Sequence, residues 1–171
     1  MRILATNDDG IHSPGLWAAV EALRDVGEVV VVAPDREQSG IGTAITLSQP
    51  VRVMEVVPLA KGVKAYAVEG TPADSAILAL ESLMEGPVDL IVSGINQGAN
   101  MGNDVFISGT MGAALQGFFR GIPSIAISVA SLRDVHFAPA AQVVRLLAQG
   151  VAEGRLAAPL LLNVNLPNVP L

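Results

Sequence analysis

The sequence predicts an α/β fold with a doubly wound, mostly parallel sheet and helices on both faces of that sheet. Short runs rich in Val and Ile alternate with stretches of helical periodicity along the chain, which is the element order of such folds. The apolar runs mostly lack in–out alternation, as strands buried on both faces do. Because 51% of the 171 residues are apolar, we expect one domain over residues 1–171 with a real core.

Six apolar runs have the length and composition of strands. They are Arg2–Ala5, Glu28–Val32, Lys64–Val68, Val88–Val92, Ser124–Val129 and Leu161–Asn165. The segment Ile45–Val57 is expected to form a further strand or a hairpin that leaves the main sheet. No run approaches the ~18 apolar residues that cross a bilayer, and the start of the chain lacks the apolar core of a signal peptide. We therefore expect a cytoplasmic protein that does not enter membranes.

Helices are expected between the strands. Ser13-Pro14 and Thr71-Pro72 each combine a preferred N-cap residue with Pro at the first helical position. The predicted buried stripes of these two helices are Leu16, Val20 and Leu23 in the first and Ile77, Leu80 and Met84 in the second. The segments Gly112–Phe119 and Pro139–Leu147 are the other two predicted helices.

Charge and composition exclude several functions. The formal net charge is −6 and Lys and Arg form no cluster, so duplex nucleic acid would be repelled. A small anionic substrate meets the same repulsion unless a bound divalent cation reverses the local charge. The chain has no Cys, which excludes disulfides, thiolate metal sites and cysteine nucleophiles.

The first candidate site follows the first predicted strand, in the turn Asn7-Asp8-Asp9-Gly10. Ligands of doubly wound sheets bind beyond the carboxyl ends of the strands. Asn, Asp and Gly are ordinary turn formers, and an Asx-turn explains them as well. Two adjacent carboxylates repel each other, however, and a hard cation with oxygen ligands removes that conflict.

Two further loops follow later strands. The loop 35–43 offers the hydroxyl of Ser39 to a metal or phosphate, although an exposed polar loop has the same composition. The long glycine-rich segment 93–104 leads to Ser108-Gly109-Thr110 at a predicted helix start. Hydroxyls and free N–H groups at a helix start bind anions, so we favour phosphate binding there. The alternative is an ordinary N-cap by Ser108 or Thr110.

Other nucleotide and hydrolase motifs are absent from the sequence. There is no phosphate-binding Gly-x-x-x-x-Gly-Lys-Ser/Thr, no complete dinucleotide fingerprint and no Gly-x-Ser-x-Gly elbow. The histidines His12 and His136 lack metal-ligand spacing and are expected at the surface or at helix caps. Trp17 lies on the first predicted helix, where we expect it to pack rather than to bind a ligand.

Recognisable motifs lie along the chain at Met1–Ile11, Val32–Arg36 with Ser39-Gly40, Glu69–Asp74, Ser93–Gly102, Ser108–Thr110 and Asn163–Pro167. Together they closely resemble the SurE family, the stationary-phase survival proteins that act as 5′-nucleotidases. The resemblance runs in family order through nearly the whole chain. Two positions depart from the family pattern. Ile107 replaces a common Tyr or His, and Gln116 replaces a frequent Glu.

The resemblance implies a Rossmann-like fold, one Mg²⁺ or Mn²⁺ per subunit, and removal of phosphate from nucleoside 5′- and, in many members, 3′-monophosphates. The metal ligands of the family fall on Asp8, Asp9, Ser39 and Asn96. The expected partners are nucleoside monophosphates and further copies of the chain in a homodimer or homotetramer. SurE proteins continue past the position of Leu171, so the chain is expected to lack the C-terminal portion of the family.

The mechanism that we expect centres on Asp8 and Asp9 as catalytic groups, with Asp8 favoured for orienting or deprotonating the attacking water. Asn96 and the Ser108-Gly109-Thr110 segment would hold the phosphate. A haloacid-dehalogenase type of phosphatase is disfavoured, because Asn7 occupies the position of its nucleophile. A catalytically silent nucleotide- or metal-binding protein and a short-chain exopolyphosphatase are the remaining alternatives.

Overall fold

The computed structural model describes residues 1–170; Leu171, the last residue of the predicted domain, lies outside the described residues. The strands are β1 Arg2–Thr6, β2 Glu28–Pro34, β3 Val53–Glu55, β4 Lys64–Val68, β5 Leu90–Gln97, β6 Ser124–Ala130 and β7 Leu161–Pro167. The α-helices are α1 Pro14–Leu23, α2 Pro72–Leu78, α3 Gly109–Phe118 and α4 Phe137–Ala152. A π-helical turn, Ala79–Leu83, extends α2, and a 3₁₀ helix, Gly102–Phe106, precedes α3.

The sheet is doubly wound, as predicted. Its strand order is β3-β4-β2-β1-β5-β6-β7, and every neighbouring pair is parallel except β3 with β4. The chain first builds the sheet to one side of β1 and then returns to place β5 on its other side. This reversal opens a crevice at the carboxyl ends of β1 and β5, where ligands of such sheets bind. Of the two alternatives for Ile45–Val57, the further strand is confirmed: it is β3, which pairs with β4 at the sheet edge rather than leaving the sheet in a hairpin.

Both faces of the sheet are covered. Helices α1 and α4 lie on one face, where Ile3 and Val31 belong to the larger core cluster. Helices α2 and α3 lie on the other, where Leu4 and Val30 belong to a second cluster. Because successive residues of one strand point to opposite faces and both are buried, the strands show no alternation of polar and apolar residues.

The helix boundaries differ from the predicted ones by a few residues, and one predicted stripe shifts. Of the predicted stripe Ile77, Leu80 and Met84, the last two pack against the core as partly buried residues, whereas the buried members are Ala76 of α2 and Ala79 of the π-helical turn. The longest helix, α4, has 16 residues, and within residues 1–170 no helix has the length and apolarity to cross a membrane.

Candidate active site

A pocket of about 580 Å³ lies in the crevice beyond β1 and β5. This volume suits a small-molecule ligand. Its lining residues are Asp8, Asp9, Ser13, Pro14, Glu37, Ser39, Gly40, Asn96–Asn100, Asp104, Ile107, Ser108 and Leu132. The three loops that were singled out in the sequence therefore meet around one cavity.

The turn after β1 brings both acid side chains to this pocket. Asn7 is fully buried and its Nδ2 donates to the carbonyl of Gly10 at 2.9 Å. Gly10 has a φ of +95°, and a Cβ there would lie 3.0 Å from the carbonyl carbon of Arg36. Only glycine combines that conformation with so close an approach, so the sharp turn that presents Asp8 and Asp9 depends on it.

Asp8 is almost completely buried at the wall of the pocket. Its Oδ1 accepts a hydrogen bond from the Thr110 hydroxyl at 2.6 Å, whereas no side chain of residues 1–170 donates to its Oδ2. Burial raises the pKa of Asp8, and hydrogen bonding by the Thr110 hydroxyl and by the backbone N–H groups of Asp8 and Thr110 opposes that rise. Thus one oxygen is held in place and the other remains for a ligand.

Asp9 lies closer to solvent than Asp8. Its Oδ2 accepts from the backbone N–H of Gln97 at 3.2 Å, which joins the turn after β1 to the end of β5. Burial first, and then the negative charges of Asp8 and Glu37, raise the pKa of Asp9 to about 6. An extra positive charge at the pocket would relieve this repulsion.

Two neutral side chains add oxygens to the same wall. Asn96 donates from Nδ2 to the carbonyl of Gly98 at 2.7 Å, so its carbonyl oxygen Oδ1 is the free end of the amide. Ser39 donates its hydroxyl proton to Oε1 of Glu37 at 2.8 Å, so its oxygen keeps lone pairs for a ligand. Both oxygens are of the kind that hard cations bind.

The position of Asn96 requires a correction to the predicted strand. The sequence placed the strand end at Val92 and a loop from Ser93 onward, whereas β5 continues to Gln97. Pairing with β6, with Asn96 opposite Ser128 after a register irregularity, keeps these polar residues in the sheet. Residue type alone favoured a loop, and the neighbouring strand overrides it.

The Ser108-Gly109-Thr110 segment contacts the site in two different ways. Ser108 lines the pocket and caps α3, because its Oγ accepts from the N–H of Met111 at 3.1 Å. Gly109 and Thr110 do not line the pocket, and Thr110 is fully buried against Asp8. Phosphate binding by these residues stays a prediction, and Ser108 is the member whose side chain reaches the cavity.

The lining of the pocket is acidic. It contains the carboxylates of Asp8, Asp9, Glu37 and Asp104, and no Lys or Arg of the described chain lines it. No group of three or more His, Cys, Asp or Glu side chains in residues 1–170 is arranged as a metal cluster. A cation here would therefore depend on the acid pair together with neutral oxygens, and an anion would depend on the cation.

The comparisons with known proteins agree with this architecture. A family model described as survival protein SurE matches residues 3–171. The chain belongs to the SurE family. A protein of Dehalococcoides mccartyi strain CBDB1 named 5′-nucleotidase SurE is 55% identical over 100% of this chain. A protein of the same name from Vibrio parahaemolyticus is 47% identical, again over 100% of the chain.

The structural comparison extends to a solved SurE protein. The crystal structure of the SurE protein from Aquifex aeolicus matches 99% of this chain with a TM-score of 0.86 at 38% identity. The chain spans 65% of the length of the Dehalococcoides relative and 67% of the Aquifex chain. Both the sequence resemblance to the SurE family and the fold class are confirmed.

Some residues of this SurE-family pocket were not singled out from the sequence. Glu37 and Asp104 line the pocket from the loop 35–43 and the segment 93–104, which the sequence analysis names as candidate site loops. Their acidic side chains in those loops could have indicated a place in the site. Leu132 follows β6 as an isolated exposed apolar residue, and no sequence pattern marks it. Asn100 lies in a recognised motif, but its partners are distant in sequence and only the fold reveals them.

Proposed function

We propose that the chain carries the active site of a phosphatase that removes phosphate from nucleoside monophosphates with the help of one bound Mg²⁺ or Mn²⁺. The observation that carries the proposal is the acid pair Asp8 and Asp9, which shares a pocket with neutral oxygens and no cationic side chain among the described residues. The family membership and the name 5′-nucleotidase of relatives at 47–55% identity support the same activity.

The donor atoms fit a hard divalent cation. Asp8 and Asp9 each have one carboxylate oxygen engaged and one left over. Asn96 and Ser39 offer neutral oxygens after spending their donor groups on neighbours. Two carboxylates and two neutral oxygens, with water for the remaining positions, are a ligand set that Mg²⁺ and Mn²⁺ accept.

A bound cation would supply the positive charge that offsets the phosphate and polarises its oxygens. The side chains of this chain would then orient the reaction. Ser108, at the start of α3, would donate its hydroxyl to a non-bridging phosphate oxygen, close to the positive end of the helix dipole. Asp8, with Asp9 beside it, would orient a water for in-line attack and accept its proton at a carboxylate oxygen. As the water oxygen bonds to phosphorus, the P–O bond to the nucleoside would break and the departing oxygen would take up that proton.

The shape of the pocket suggests how a nucleotide would lie. The carboxylates mark the phosphate end, whereas Ile107 and Leu132 are exposed apolar side chains that line other parts of the wall. The Leu132 side chain packs against Gly98, and the Leu132 carbonyl accepts a hydrogen bond from Nε2 of Gln97 at 2.6 Å. We infer that these two apolar side chains contact the nucleoside.

The test is phosphate release from a panel of nucleoside 5′- and 3′-monophosphates and short polyphosphate, with and without Mn²⁺ or Mg²⁺. Asp8→Asn and Asp9→Asn are expected to lower kcat by at least about 100-fold. Asp25→Asn is the matched control, because Asp25 is exposed at the opposite end of the sheet. Metal-independent release, or full activity in either pocket variant, would refute the proposal.

A catalytically silent binding protein is the second candidate, because the chain spans 65% of the length of its Dehalococcoides relative. Calorimetric titration of nucleotide in the presence of Mn²⁺ distinguishes the two. Binding without any phosphate release would favour the silent protein, and extension of the chain to the relatives' length would then show whether the added residues restore turnover.

A further inference from the structure

The Asn163-Val164-Asn165 motif of β7 has no place in the site described so far. Its side chains nevertheless hold one residue of the pocket wall, Asn100, by its backbone. The N–H of Asn100 donates to Oδ1 of Asn165 at 2.8 Å, and its carbonyl accepts from Nδ2 of Asn163 at 2.8 Å. Nδ2 of Asn165 adds a third bond to the same carbonyl at 3.3 Å. Nδ2 of Asn165 also donates to Oδ1 of Asn163 at 3.1 Å, and this bond joins the two side chains into what we call the Asn163/Asn165 clamp.

The side chain of Asn100 continues this hydrogen-bond network toward the acid pair. Nδ2 of Asn100 donates to Oγ of Ser128 at 3.0 Å and, over a longer distance of 3.4 Å, to Oγ1 of Thr110. Thr110 in turn donates its single hydroxyl proton to Oδ1 of Asp8 at 2.6 Å. These bonds run from the edge strand β7 to the turn after β1, although β5 and β6 separate the two strands in the sheet.

The direction of these bonds is fixed by their chemistry. An amide NH₂ group can only donate, so Asn100 occupies a lone pair of the Thr110 oxygen and leaves the hydroxyl proton for Asp8. Asn100, Thr110 and Ser128 are all buried, so water does not compete for these groups and loss of one partner is costly. With Oδ1 of Asp8 held in this way, Oδ2 is the oxygen left for a ligand.

We propose that Thr110, Asn100 and the Asn163/Asn165 clamp are positioning residues that orient Asp8 toward the bound cation, an inference that rests on the proposed metal-dependent function. Partners of metal ligands in other sites contribute about 10- to 100-fold to metal affinity or activity. In this arrangement Thr110 acts through Asp8 and does not bind the phosphate itself.

The first experiment compares Thr110→Val with Thr110→Ser. Valine keeps the shape and removes the hydroxyl, whereas serine keeps the hydroxyl. We expect Thr110→Val to weaken Mn²⁺ binding, measured calorimetrically without substrate, by about tenfold. Thr110→Val should also lower kcat for nucleoside monophosphates while changing KM by less than about twofold. Thr110→Ser should keep both the Mn²⁺ affinity and kcat of the unaltered chain. A raised KM with unchanged Mn²⁺ affinity would overturn the proposal in favour of direct phosphate binding.

The second experiment tests the clamp at a distance from the pocket. Asn165→Ala is expected to weaken Mn²⁺ binding by about three- to tenfold, and it covers the case in which the buried Thr110 variant fails to fold. Asn168→Ala is the matched control, because Asn168 directly follows β7 but its side chain contacts other residues. Its Oδ1 accepts from the N–H of His136 at 2.8 Å, and its Nδ2 donates to the carbonyl of Asp134 at 3.1 Å. Equal Mn²⁺ affinity in Asn165→Ala and Asn168→Ala would overturn the proposal that the Asn163/Asn165 clamp orients Asp8.

The proposed function and the positioning role of Thr110 and Asn165 would be refuted by different results. If the unaltered chain binds Mn²⁺ but releases no phosphate, the proposed function fails, while the Mn²⁺ titrations of the Thr110 and Asn165 variants still decide the positioning role. If the unaltered chain is active and those variants bind Mn²⁺ as it does, the positioning role alone fails.

Discussion

A methyl group at Gly109 would test how closely the start of α3 packs on the acid pair. A Cβ at this position would lie 2.8 Å from Cβ of Asp8, 3.0 Å from its Oδ2 and 3.0 Å from Cγ of Pro72. Carbon atoms in good contact are separated by ~3.5–4.0 Å, so the Asp8 side chain or α3 would have to move by about 0.7–1.2 Å. Asp8 cannot move freely, because Thr110 holds its side chain and the N–H of Gln38 holds its carbonyl at 2.7 Å.

The expected result of Gly109→Ala is a large loss of turnover with a moderate loss of stability. A misplacement of ~1 Å costs about 100-fold in rate, and overpacking a core contact costs about 1–3 kcal/mol. The assays are metal-dependent phosphate release, calorimetric Mn²⁺ titration and urea unfolding. Gly150→Ala is the control, since a Cβ there meets only the flexible Leu156 side chain.

Wild-type kcat and Mn²⁺ affinity in Gly109→Ala would refute this reasoning, because Asp8 would then tolerate a displacement that its proposed role forbids. A variant that is folded at low urea concentration but binds Mn²⁺ weakly would support it. Loss of folding alone would be recognised from the unfolding curve.

Three further outcomes follow from the geometry. Mn²⁺ affinity should fall about tenfold from pH 7 to pH 5, because Asp9, with its pKa raised to about 6, takes up a proton that the cation must displace; an affinity that is flat over this range would contradict it. Leu132→Ala should raise KM for a nucleoside monophosphate about fivefold, from about 1 kcal/mol of lost apolar contact, and should leave KM for ribose 5-phosphate, which has no base, unchanged. Asp74→Asn should lower the free energy of unfolding by about 1–3 kcal/mol at pH 7, because the Asp74 carboxylate accepts from the N–H and hydroxyl of Thr46 and from the N–H of Thr71. Burial would raise the pKa of Asp74, but these bonds lower it below 3.8, so its contribution is present above that pH and the deficit should shrink in urea unfolding at more acid pH.

Most of the fold could be predicted from the sequence because its signals are local. The strand Lys64–Val68 has its predicted bounds, and Pro14 and Pro72 begin helices as expected. Uninterrupted apolar runs such as residues 29–34 show burial on both faces. What the sequence misplaced or left open depends on neighbouring elements. Pairing with β6 keeps the polar end of β5 in the sheet, and pairing with β4 places β3 at the sheet edge.

The candidate site divides in the same way. The adjacent carboxylates Asp8 and Asp9, Ser39 and Asn96 were recognisable from residue type, from their place after predicted strands and from their resemblance to a family. The sequence contains no information on which oxygen of each carboxylate is free, since that depends on Thr110 and on the N–H of Gln97. Hydrogen bonds between residues far apart in the chain can only be read once the loops are brought together.

The sequence by itself determined the fold class, the acidic character of the chain and the loops that carry the chemistry, because periodicity, charge and turn residues act over short distances. Only the tertiary structure decided how those loops meet. It placed the Thr110 hydroxyl against Asp8, and it joined the side chains of Asn163 and Asn165 to the backbone of Asn100. Parallel strands place the ends of distant segments side by side, so these contacts arise from strand order, which no local pattern encodes.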